Sequence, residues 1–379
     1  KGPLMKVGQV FAQLKDILPP EISTALGQLR QYAKPIHIDT IRAQITKGLG
    51  QTPEALFAEF DPVPYRAASL GQVHKARLNS GEAVVVKVQY PSVAQDCQSD
   101  LKHLKTVFRL LPLIGVDKQA LSLVFEEIDE VIQREIDYDQ EVTAVNRFHD
   151  FFKDSTRVVV PRAFAEYSCK TVITMTFEQG NSLDSLHRIR AQGRGDLDLV
   201  AKVSDNLFEC IAQQIFLLQQ IHVDPHAGNF AVKPDGRLVM YDFGAVKILD
   251  AEIVTLFTRL VQAMLAADYN LIEALLVEKG IRRPGSKPLG KEFYQPWVEL
   301  IRTPFLAKSF NFAEGKLHQQ AMQLAKGHWR SYSNYFLPSR DTLLLDRVIM
   351  GHYWNFVHLA VDFSLRDALE KYIELPAAR

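Results

Sequence analysis

The chain has few cysteines, no excess of basic side chains and no long uninterrupted apolar run, and each shortage excludes a class of protein. Cys97, Cys169 and Cys210 are its three cysteines, and no two of them form a C-x-x-C pair. A disulfide framework or a thiolate zinc site is therefore not expected, and a reducing compartment fits. Lys plus Arg and Asp plus Glu both number 44, so the charge balance predicts no nucleic-acid partner.

Nothing in the sequence predicts a membrane span. The longest apolar stretch, residues 253–267, is interrupted by Arg259 and is too short to cross a bilayer. No signal peptide is visible. We expect a cytoplasmic protein whose membrane contact, where there is any, is peripheral. The chain begins with Lys1 inside an amphipathic pattern, which we interpret as a piece of a longer protein.

The order of the predicted elements indicates an α+β protein. Apolar residues at helical spacing predict a helix over residues 1–18 that ends at Pro19 and Pro20, with further helices up to about Phe60. Residues 61–91 combine turn residues with β-branched runs and predict an antiparallel hairpin. Helical pattern returns over 93–152, and two short strands follow, in "RVVVP" and "KTVITMTFEQG".

From Asp184 onwards the pattern is helical, apart from "FAVKPDGRLVMYDFG", which predicts a second hairpin with a Pro-Asp-Gly turn. With 379 residues the chain is long enough for two lobes. We predict an N-terminal helical extension over 1–60, a small β-containing lobe over 61–178 and a large helical lobe over 179–379.

Candidate metal ligands lie near the second hairpin. Asp242, Phe243 and Gly244 follow the apolar strand "RLVMY", and a carboxylate at a strand end suits Mg²⁺, which prefers oxygen ligands. Alone, D-F-G is also typical of a plain exit from a strand. However, Asn229 lies 13 residues before Asp242 and five after Asp224, which is the spacing of a kinase catalytic loop and metal-binding triplet. This spacing assigns Asn229 and Asp242 to Mg²⁺ and Asp224 to the acceptor or attacking water.

A candidate phosphate-binding lysine lies upstream. Lys87 stands in "AVVVKV", which has the form of the kinase β3 motif, although a lone strand lysine is usually a solvent-facing edge residue. The preceding segment lies where a kinase places its Gly-rich loop, but it has one glycine. We assign the loop to nucleotide binding through Ala67, Ala68, Ser69, Leu70, Gly71, Gln72 and Val73.

The lysine needs a carboxylate from a helix. Asp137 and Glu141 are four residues apart and share a helical face, whereas Glu135 points elsewhere. We expect one of the first two to reach Lys87.

Several motifs now occur in a specific order: "KVGQ" at Lys6–Gln9, "AASLGQVH", "EIDYDQE", "HVDPHAGN" and "DFG". Together they resemble the UbiB/AarF family of atypical kinase-like proteins, over the chain from Lys1 to about Lys247. Beyond residue 250 the match is in helical character alone. Ala227 stands where many relatives have proline.

The resemblance implies a two-lobed protein-kinase-like fold and gives the motif residues roles. Lys87 would contact phosphate and pair with Glu141, and Asp224 would be the catalytic-loop aspartate. ATP and Mg²⁺ would be the cofactors. The adenine hinge would comprise Met175, Thr176, Phe177 and Glu178, and the gate over the active site would comprise Lys6, Gln9, Glu135 and Asp137.

The motif "HVDPHAGN" also resembles a metal site built from the side chains of His222, Asp224 and His226. Imidazole favours Zn, Cu, Fe or Ni, but no third or fourth soft ligand is at hand in the sequence. The oxygen ligands Asp224, Asn229 and Asp242 favour Mg²⁺ instead, and we expect the two histidines to shape the loop.

The residues after Gly244 predict a helix almost at once, without the long polar segment ending in A-P-E that seats a peptide in protein kinases. The resemblance implies ATP hydrolysis or small-molecule phosphorylation that supports isoprenoid lipid metabolism such as ubiquinone biosynthesis. Its partners would be ATP, an isoprenoid lipid or quinone precursor, and a membrane surface. Two alternatives stay open: a lipid or small-molecule kinase, and a non-catalytic nucleotide-binding scaffold of a biosynthetic complex.

Overall fold

The computed structural model describes residues 36–68, 70–108, 126, 129–130, 132–133, 136–325, 335–337 and 340–376. The predicted first helix and the residues Lys6, Gln9, Ser69 and Glu135 lie outside this part of the chain. The described residues divide into two compact units. The first contains the residues up to Lys153, Val160–Glu178 and Tyr241–Ala245, and the second contains Asp154–Val159, Gln179–Met240 and the residues from Val246. The predicted boundaries at 60 and 178 stay a prediction.

In chain order the α-helices of the described residues are α1 (Ile38–Leu49), α2 (Pro53–Leu56), α3 (Val93–Phe108), α4 (Tyr138–Phe152), α5 (Leu183–Ala191), α6 (Leu197–Gln213), α7 (Ala251–Ala266), α8 (Tyr269–Glu278), α9 (Lys291–Leu306), α10 (Phe312–Gly315), α11 (Leu317–Ala325), α12 (Arg340–Leu359) and α13 (Leu365–Leu369). The strands are β1 (Phe57–Phe60), β2 (Arg66–Ala67), β3 (Gly71–Leu78), β4 (Ala83–Gln89), β5 (Val158–Val159), β6 (Val172–Thr176), β7 (Asn181–Ser182), β8 (Gln220–His222), β9 (Phe230–Val232), β10 (Leu238–Met240), β11 (Val246–Ile248), β12 (Phe310–Asn311) and β13 (Asp362–Phe363).

The first unit is built on an antiparallel sheet in the order β1-β3-β4-β6, with β2 paired to β3. The predicted hairpin is confirmed, since β3 and β4 pair along their length around a turn at Gly81, whose φ of 95° suits glycine. Successive side chains of a strand point to opposite faces. Val84, Val86 and Val88 therefore share one face, and they are buried in one core cluster with α1. Lys87 points to the other face.

Helix α4 carries the side chains that meet Lys87. It begins after the N-cap Asp137, whose side chain accepts a hydrogen bond from the Asp139 amide. A carboxylate at this position is a preferred N-cap. Its buried residues recur at helical spacing, and the polar residue Glu141 belongs to the same buried stripe: Tyr138, Glu141, Val142, Val145, Phe148 and Phe152.

The helical prediction for residues 57–60 was wrong. These residues form β1, which pairs antiparallel with the end of β3, with Phe57 opposite Leu78 and Phe60 opposite Ala76. The helical pattern stops at Leu56, the end of the short helix α2. Pairing with a neighbouring strand decides the conformation of the next four residues, because β-propensity depends on the packing partner.

The second unit combines many helices with a four-stranded sheet in the order β5-β10-β9-β7. Its β9–β10 hairpin is the one that the Pro-Asp-Gly turn predicts, and it is confirmed. The short pairs β8–β11 and β12–β13 were not predicted. Helices α7, α8 and α9 share an apolar core that contains Leu256, Leu275 and Val298. The combination of an antiparallel sheet and a mainly helical unit confirms the α+β class.

Candidate functional site

Lys87 and Glu141 form a buried ion pair in the first unit. The Lys87 Nζ atom donates to Oε1 and Oε2 of Glu141, at 2.9 and 3.0 Å. The Lys87 side chain is 10% exposed and the Glu141 side chain 2%. Of the two carboxylates that the sequence offers, Glu141 is thus the one that contacts the lysine. The ammonium contacts both carboxylate oxygens at short distance, which is the close geometry that a buried charge pair needs.

Two further groups surround the lysine. Its Nζ atom lies 4.8 Å from the centroid of the Tyr138 ring, on the first turn of α4, at a distance typical of a cation–π contact. The Asp242 Oδ1 atom lies 3.5 Å from the same nitrogen, and the Asp242 side chain is 36% exposed. One lysine therefore faces two carboxylates.

The D-F-G segment is held by its own backbone and by α4. Asp242 has φ of 56°, in the left-handed region, which aspartate tolerates better than most residues. Its Oδ1 atom also accepts a hydrogen bond from the Gly244 amide at 3.4 Å. Phe243 is buried and packs edge-on against Phe148 of α4, with ring centroids 5.2 Å apart. The helix that supplies Glu141 thus also fixes the residue next to Asp242.

The candidate catalytic loop lies in the second unit, directly after β8. A π-helical turn, Gln214–Leu218, precedes it, and such turns are frequent at functional sites. The buried Gln214 Oε1 atom accepts a hydrogen bond from the His222 amide at 2.8 Å. At the other end, Asn229 Nδ2 donates to the Asp224 carbonyl at 3.3 Å. The structure therefore brings Asp224 and Asn229 together across one loop.

The two histidines act within this loop. His222 Nδ1 accepts from the Asp224 amide at 3.3 Å, and His226 Nδ1 accepts from the Gly228 amide at 3.0 Å. Asp224 Oδ1 in turn accepts from the His226 amide at 3.3 Å. Within the part of the chain that the structure describes, no group of three or more His, Cys, Asp or Glu side chains could hold a metal ion. The hydrogen bonds of His222 and His226 agree with the interpretation that the two histidines shape the loop.

The segment with a single glycine forms the turn between β2 and β3. Ala67 pairs with Gln72, and the Ala68 amide donates to the Gly71 carbonyl at 2.9 Å. A Cβ added at Gly71 would lie 2.1 Å from the Val88 carbonyl oxygen. Glycine is therefore required here by the close approach of β4. Leu70 is buried at 1% exposure.

Gln72 and Val73 belong to β3 rather than to the turn. Gln72 is fully buried. Its side-chain Nε2 atom lies 2.9 Å from Nε2 of His74, and its side-chain Oε1 atom accepts a hydrogen bond from the Ile36 backbone amide at 3.0 Å. Val73 pairs with Lys87. What Gln72 can offer a ligand is therefore its backbone, since its side chain lies in the interior.

The predicted hinge residues lie at the end of β6 and just beyond it. Met175 and Thr176 close the strand, and the Phe177 amide donates to the Ala83 carbonyl at 2.9 Å. The Tyr241 hydroxyl donates to the Glu178 carbonyl at 2.5 Å. Burial raises the pKa of Tyr241 to about 12, so this hydroxyl keeps its proton and stays a donor at neutral pH.

Asp137 is the one predicted gate residue within the described part of the chain. Its Oδ1 atom caps α4 at the Asp139 amide, at 3.2 Å, and its Oδ2 atom lies 3.5 Å from Gln140 Nε2. A helix-capping role and a gating role are compatible, because a carboxylate has several acceptor sites.

Sequence reasoning missed three polar or aromatic residues that contact the site. Tyr138 lies inside the quoted segment "EIDYDQE" and could have been noticed as a ring next to the acidic motif. His352 and Asn355 on α12 are buried, and Asn355 Nδ2 donates to the Pro225 carbonyl of the catalytic loop at 2.9 Å. The helical pattern beyond residue 250 gave no signal for either.

Residues 28–276 match the family model described as the ABC1 atypical kinase-like domain. The chain is 29% identical over 315 residues to the probable serine/threonine-protein kinase abkD of Dictyostelium discoideum, which covers 82% of this chain and 43% of that protein. It is 32% identical over 290 residues to the protein ACTIVITY OF BC1 COMPLEX KINASE 8, chloroplastic, of Arabidopsis thaliana, covering 75% of this chain and 38% of the relative. It is 28% identical over 323 residues to the atypical kinase COQ8, mitochondrial, of Saccharomyces cerevisiae, covering 83% and 62%.

The chain thus spans less than two thirds of the length of these curated relatives. Among solved structures, the complex of Rv3197 with erythromycin from Mycobacterium tuberculosis is similar, with a TM-score of 0.75 and 23% identity over 97% of this chain and 91% of that chain. Together with the family match, this similarity confirms the predicted kinase-like fold. None of the described helices is long and apolar enough to cross a membrane.

Proposed function

The chain belongs to the ABC1 atypical kinase-like family, and from that premise we propose that it binds MgATP and uses it for ATP hydrolysis or for phosphoryl transfer to a small molecule. The family match, with relatives named COQ8 and AarF domain-containing protein kinase, confirms the resemblance to UbiB/AarF proteins. The chain therefore belongs to a family of kinase type. The nucleotide, the metal and the acceptor are proposals.

The observation that carries the proposal is the buried pair between Lys87 and Glu141 beside Asp242. In kinases the equivalent lysine pairs with a helix glutamate while it contacts phosphate, and the D-F-G aspartate holds Mg²⁺. Here the same three residue types meet around one nitrogen atom. Lys87 would contact the α- and β-phosphates, Glu141 would hold it in place, and Asp242 would bind the metal.

The oxygen ligands fit Mg²⁺. Asp242 supplies a partly exposed carboxylate. Asn229 uses its Nδ2 atom for the Asp224 carbonyl, so its Oδ1 atom is the one that would face a metal, and both are hard ligands that Mg²⁺ prefers. When bound, Mg²⁺ supplies charge neutralisation on the β- and γ-phosphate oxygens.

The remaining residues would place the nucleotide and the acceptor. Asp224 would orient an attacking water or hydroxyl and accept its proton. The turn from Ala67 to Gly71, with Ser69, would lie over the phosphates, followed by the backbone of Gln72 and Val73. The backbone at the end of β6, from Met175 to Glu178, would bind the adenine. The gate of Lys6 and Gln9 against Glu135 and Asp137 stays part of this proposal.

A small acceptor, or water, fits better than a peptide. Between Gly244 and the start of α7 at Ala251 lie six residues, three of which form β11. This leaves no room for the long polar segment that seats a peptide in protein kinases. One relative is named a probable serine/threonine-protein kinase, but the short connection favours ATP hydrolysis or small-molecule phosphorylation here.

The biological setting rests on the family resemblance. It favours support of isoprenoid lipid metabolism of the ubiquinone type, with a quinone precursor and a membrane surface as partners. Two relatives are named as chloroplastic and mitochondrial. For this chain we propose a reducing compartment, since its three cysteines are far apart in the sequence and form no C-x-x-C pair.

Phosphate release and nucleotide binding, measured on the same preparation, test the proposal. We expect calorimetry to detect MgATP binding, and we expect phosphate release that isoprenoid phenols or vesicles alter. Asp224→Asn should suppress turnover while binding persists. Binding without release under all conditions would favour the scaffold alternative, and no binding of MgATP would overturn the proposal.

A further inference from the structure

Helix α12 contacts the catalytic loop at its proline. Gly351 has no side chain, and a Cβ added there would lie 2.0 Å from Cγ and 2.6 Å from Cβ of Pro225. One turn later, Asn355 Nδ2 donates to the Pro225 carbonyl at 2.9 Å. The helix thus both touches the ring and holds the carbonyl of the residue that follows Asp224.

His352 completes this contact. Its Nδ1 atom lies 3.2 Å from Asn355 Nδ2, so the two hydrogens of the Asn355 amide can serve Pro225 and His352 at once. This arrangement needs Nδ1 to be an acceptor and the imidazole to be neutral. Burial lowers the pKa of His352 to about 3, helped by the nearby His222 and opposed by Asp224, which agrees with a neutral ring.

An aromatic row links the same helix to the other end of the loop. The His352 ring lies 5.6 Å from the Phe230 ring in an edge-on contact, and Phe230 lies 6.0 Å from the His222 ring. His222 begins the motif and Phe230 follows Asn229. Helix α12 therefore contacts the loop at Pro225 and contacts Phe230, whose ring in turn packs against His222.

We propose that Gly351, His352 and Asn355 are positioning residues, which set the place of Asp224 by clamping the catalytic loop at Pro225. The inference rests on the proposed function only for the role of Asp224. His352 and Asn355 are buried at 5% and 4% exposure behind the loop, so they act through the loop and not on the acceptor. The clamp lies in the part of the chain where sequence pattern predicts plain helix.

Two variants disturb the clamp in opposite ways. Gly351→Ala pushes against the Pro225 ring, and Asn355→Leu keeps a similar volume but removes the donor. Leu359→Ala is the control, because Leu359 is fully buried in the same helix, one turn beyond Asn355. It loosens α12 without removing the hydrogen bond to Pro225.

We expect both clamp variants to lower kcat by about tenfold to hundredfold, because small displacements of a catalytic group cost that much. The KM for ATP should rise by much less than kcat falls, since Lys87, Glu141 and Asp242, which place the phosphates and the metal in the proposed function, lie outside the loop. Leu359→Ala should melt earlier but keep kcat. Equal kcat in folded clamp variants, or a rise in KM that matches the fall in kcat, would overturn the clamp.

Hydrogen–deuterium exchange separates this inference from the proposed function. In both clamp variants the amides of Asp224, His226 and Gly228 should exchange faster than in the parent and in Leu359→Ala, whether or not the protein turns over ATP. Unchanged exchange would reject the clamp even in an active enzyme. Faster exchange in a protein that neither binds nor hydrolyses MgATP would support the clamp and reject the proposed function.

Discussion

The Lys87 ammonium group bonds both carboxylate oxygens of Glu141, and this contact joins strand β4 to helix α4 in the interior of one unit. The pair is separated by 54 residues in the sequence. Because it is nearly inaccessible to solvent, it matters for stability as well as for the proposed chemistry. The two contributions can be measured separately.

Glu141→Gln should lower the free energy of unfolding by about 3 kcal/mol, because it replaces the carboxylate that bonds the buried ammonium twice with a neutral amide. Chemical denaturation measures this loss. The double variant Lys87→Met with Glu141→Leu should recover most of the stability, since apolar residues of similar volume replace buried pairs well. It should not recover ATP turnover. Recovered turnover in the double variant would show that the pair is structural alone.

Asp242→Asn should abolish most of the Mg²⁺-dependent affinity for ATP, by about tenfold or more, because it removes the charge that faces the metal. Asparagine also tolerates the left-handed backbone, so circular dichroism should be unchanged. Calorimetry with and without Mg²⁺ gives the affinities. Asp235→Asn, in the exposed turn between β9 and β10, is the control and should bind as the parent does. Unchanged affinity in Asp242→Asn would reject this residue as the metal ligand.

The second unit should become less stable as the pH is lowered, because of His187. Burial and the neighbouring His358 lower the pKa of His187 to about 4, while Asp184 opposes the shift. Between pH 6.5 and 4 the unfolded chain therefore binds a proton that the folded chain does not, and stability falls as the pH falls. From pH 7 to 5 the loss from this residue should be about 2 kcal/mol.

Urea denaturation of the parent and of His187→Gln at both pH values isolates this contribution, because the variant lacks the titrating ring. The difference in free energy of unfolding between pH 7 and pH 5 should be smaller in the variant. The same difference in both proteins would mean that His187 is protonated in the folded state at pH 5.

Gly71→Ala should destabilise the first unit by about 1–3 kcal/mol, because the new methyl group would overlap the Val88 carbonyl. Thermal unfolding measures the loss. Gly290→Ser adds atoms where nothing lies within 4 Å and should change stability by less than about 0.5 kcal/mol. Equal stability of Gly71→Ala and the parent would mean that β4 can shift, and the glycine would then have to be explained by the nucleotide.

Local pattern was sufficient where an element is long or its turn is specific. The turn residues and β-branched runs of residues 61–91 and the Pro-Asp-Gly turn between β9 and β10 both predicted their hairpins. The strand β1 was missed because four residues after a helix have no distinct period, and β8 and β11 are three residues each. Their pairing depends on partners that the local pattern does not contain.

The residues of the candidate site also divide into those that local pattern predicts and those that it does not. Motif spacing linked Asp224, Asn229 and Asp242 as candidates, the form of the β3 motif pointed to Lys87, and the family resemblance favoured Glu141 over Asp137. Spacing could not identify Asn355, whose partner Pro225 lies 130 residues away. At Gly71, spacing could not tell whether glycine is needed for the approach of a phosphate or for the approach of a neighbouring strand, since the sequence contains glycine in both cases.

A crystal structure with a non-hydrolysable ATP analogue and Mn²⁺ in place of Mg²⁺ tests the central claim most directly, because Mn²⁺ is located by its anomalous scattering. We predict Mn²⁺ bound by oxygen atoms of Asn229 and Asp242, with the Lys87 ammonium at the α- and β-phosphates and still paired to Glu141. Mn²⁺ on the His222 and His226 imidazoles, or a nucleotide bound away from Lys87, would contradict the account.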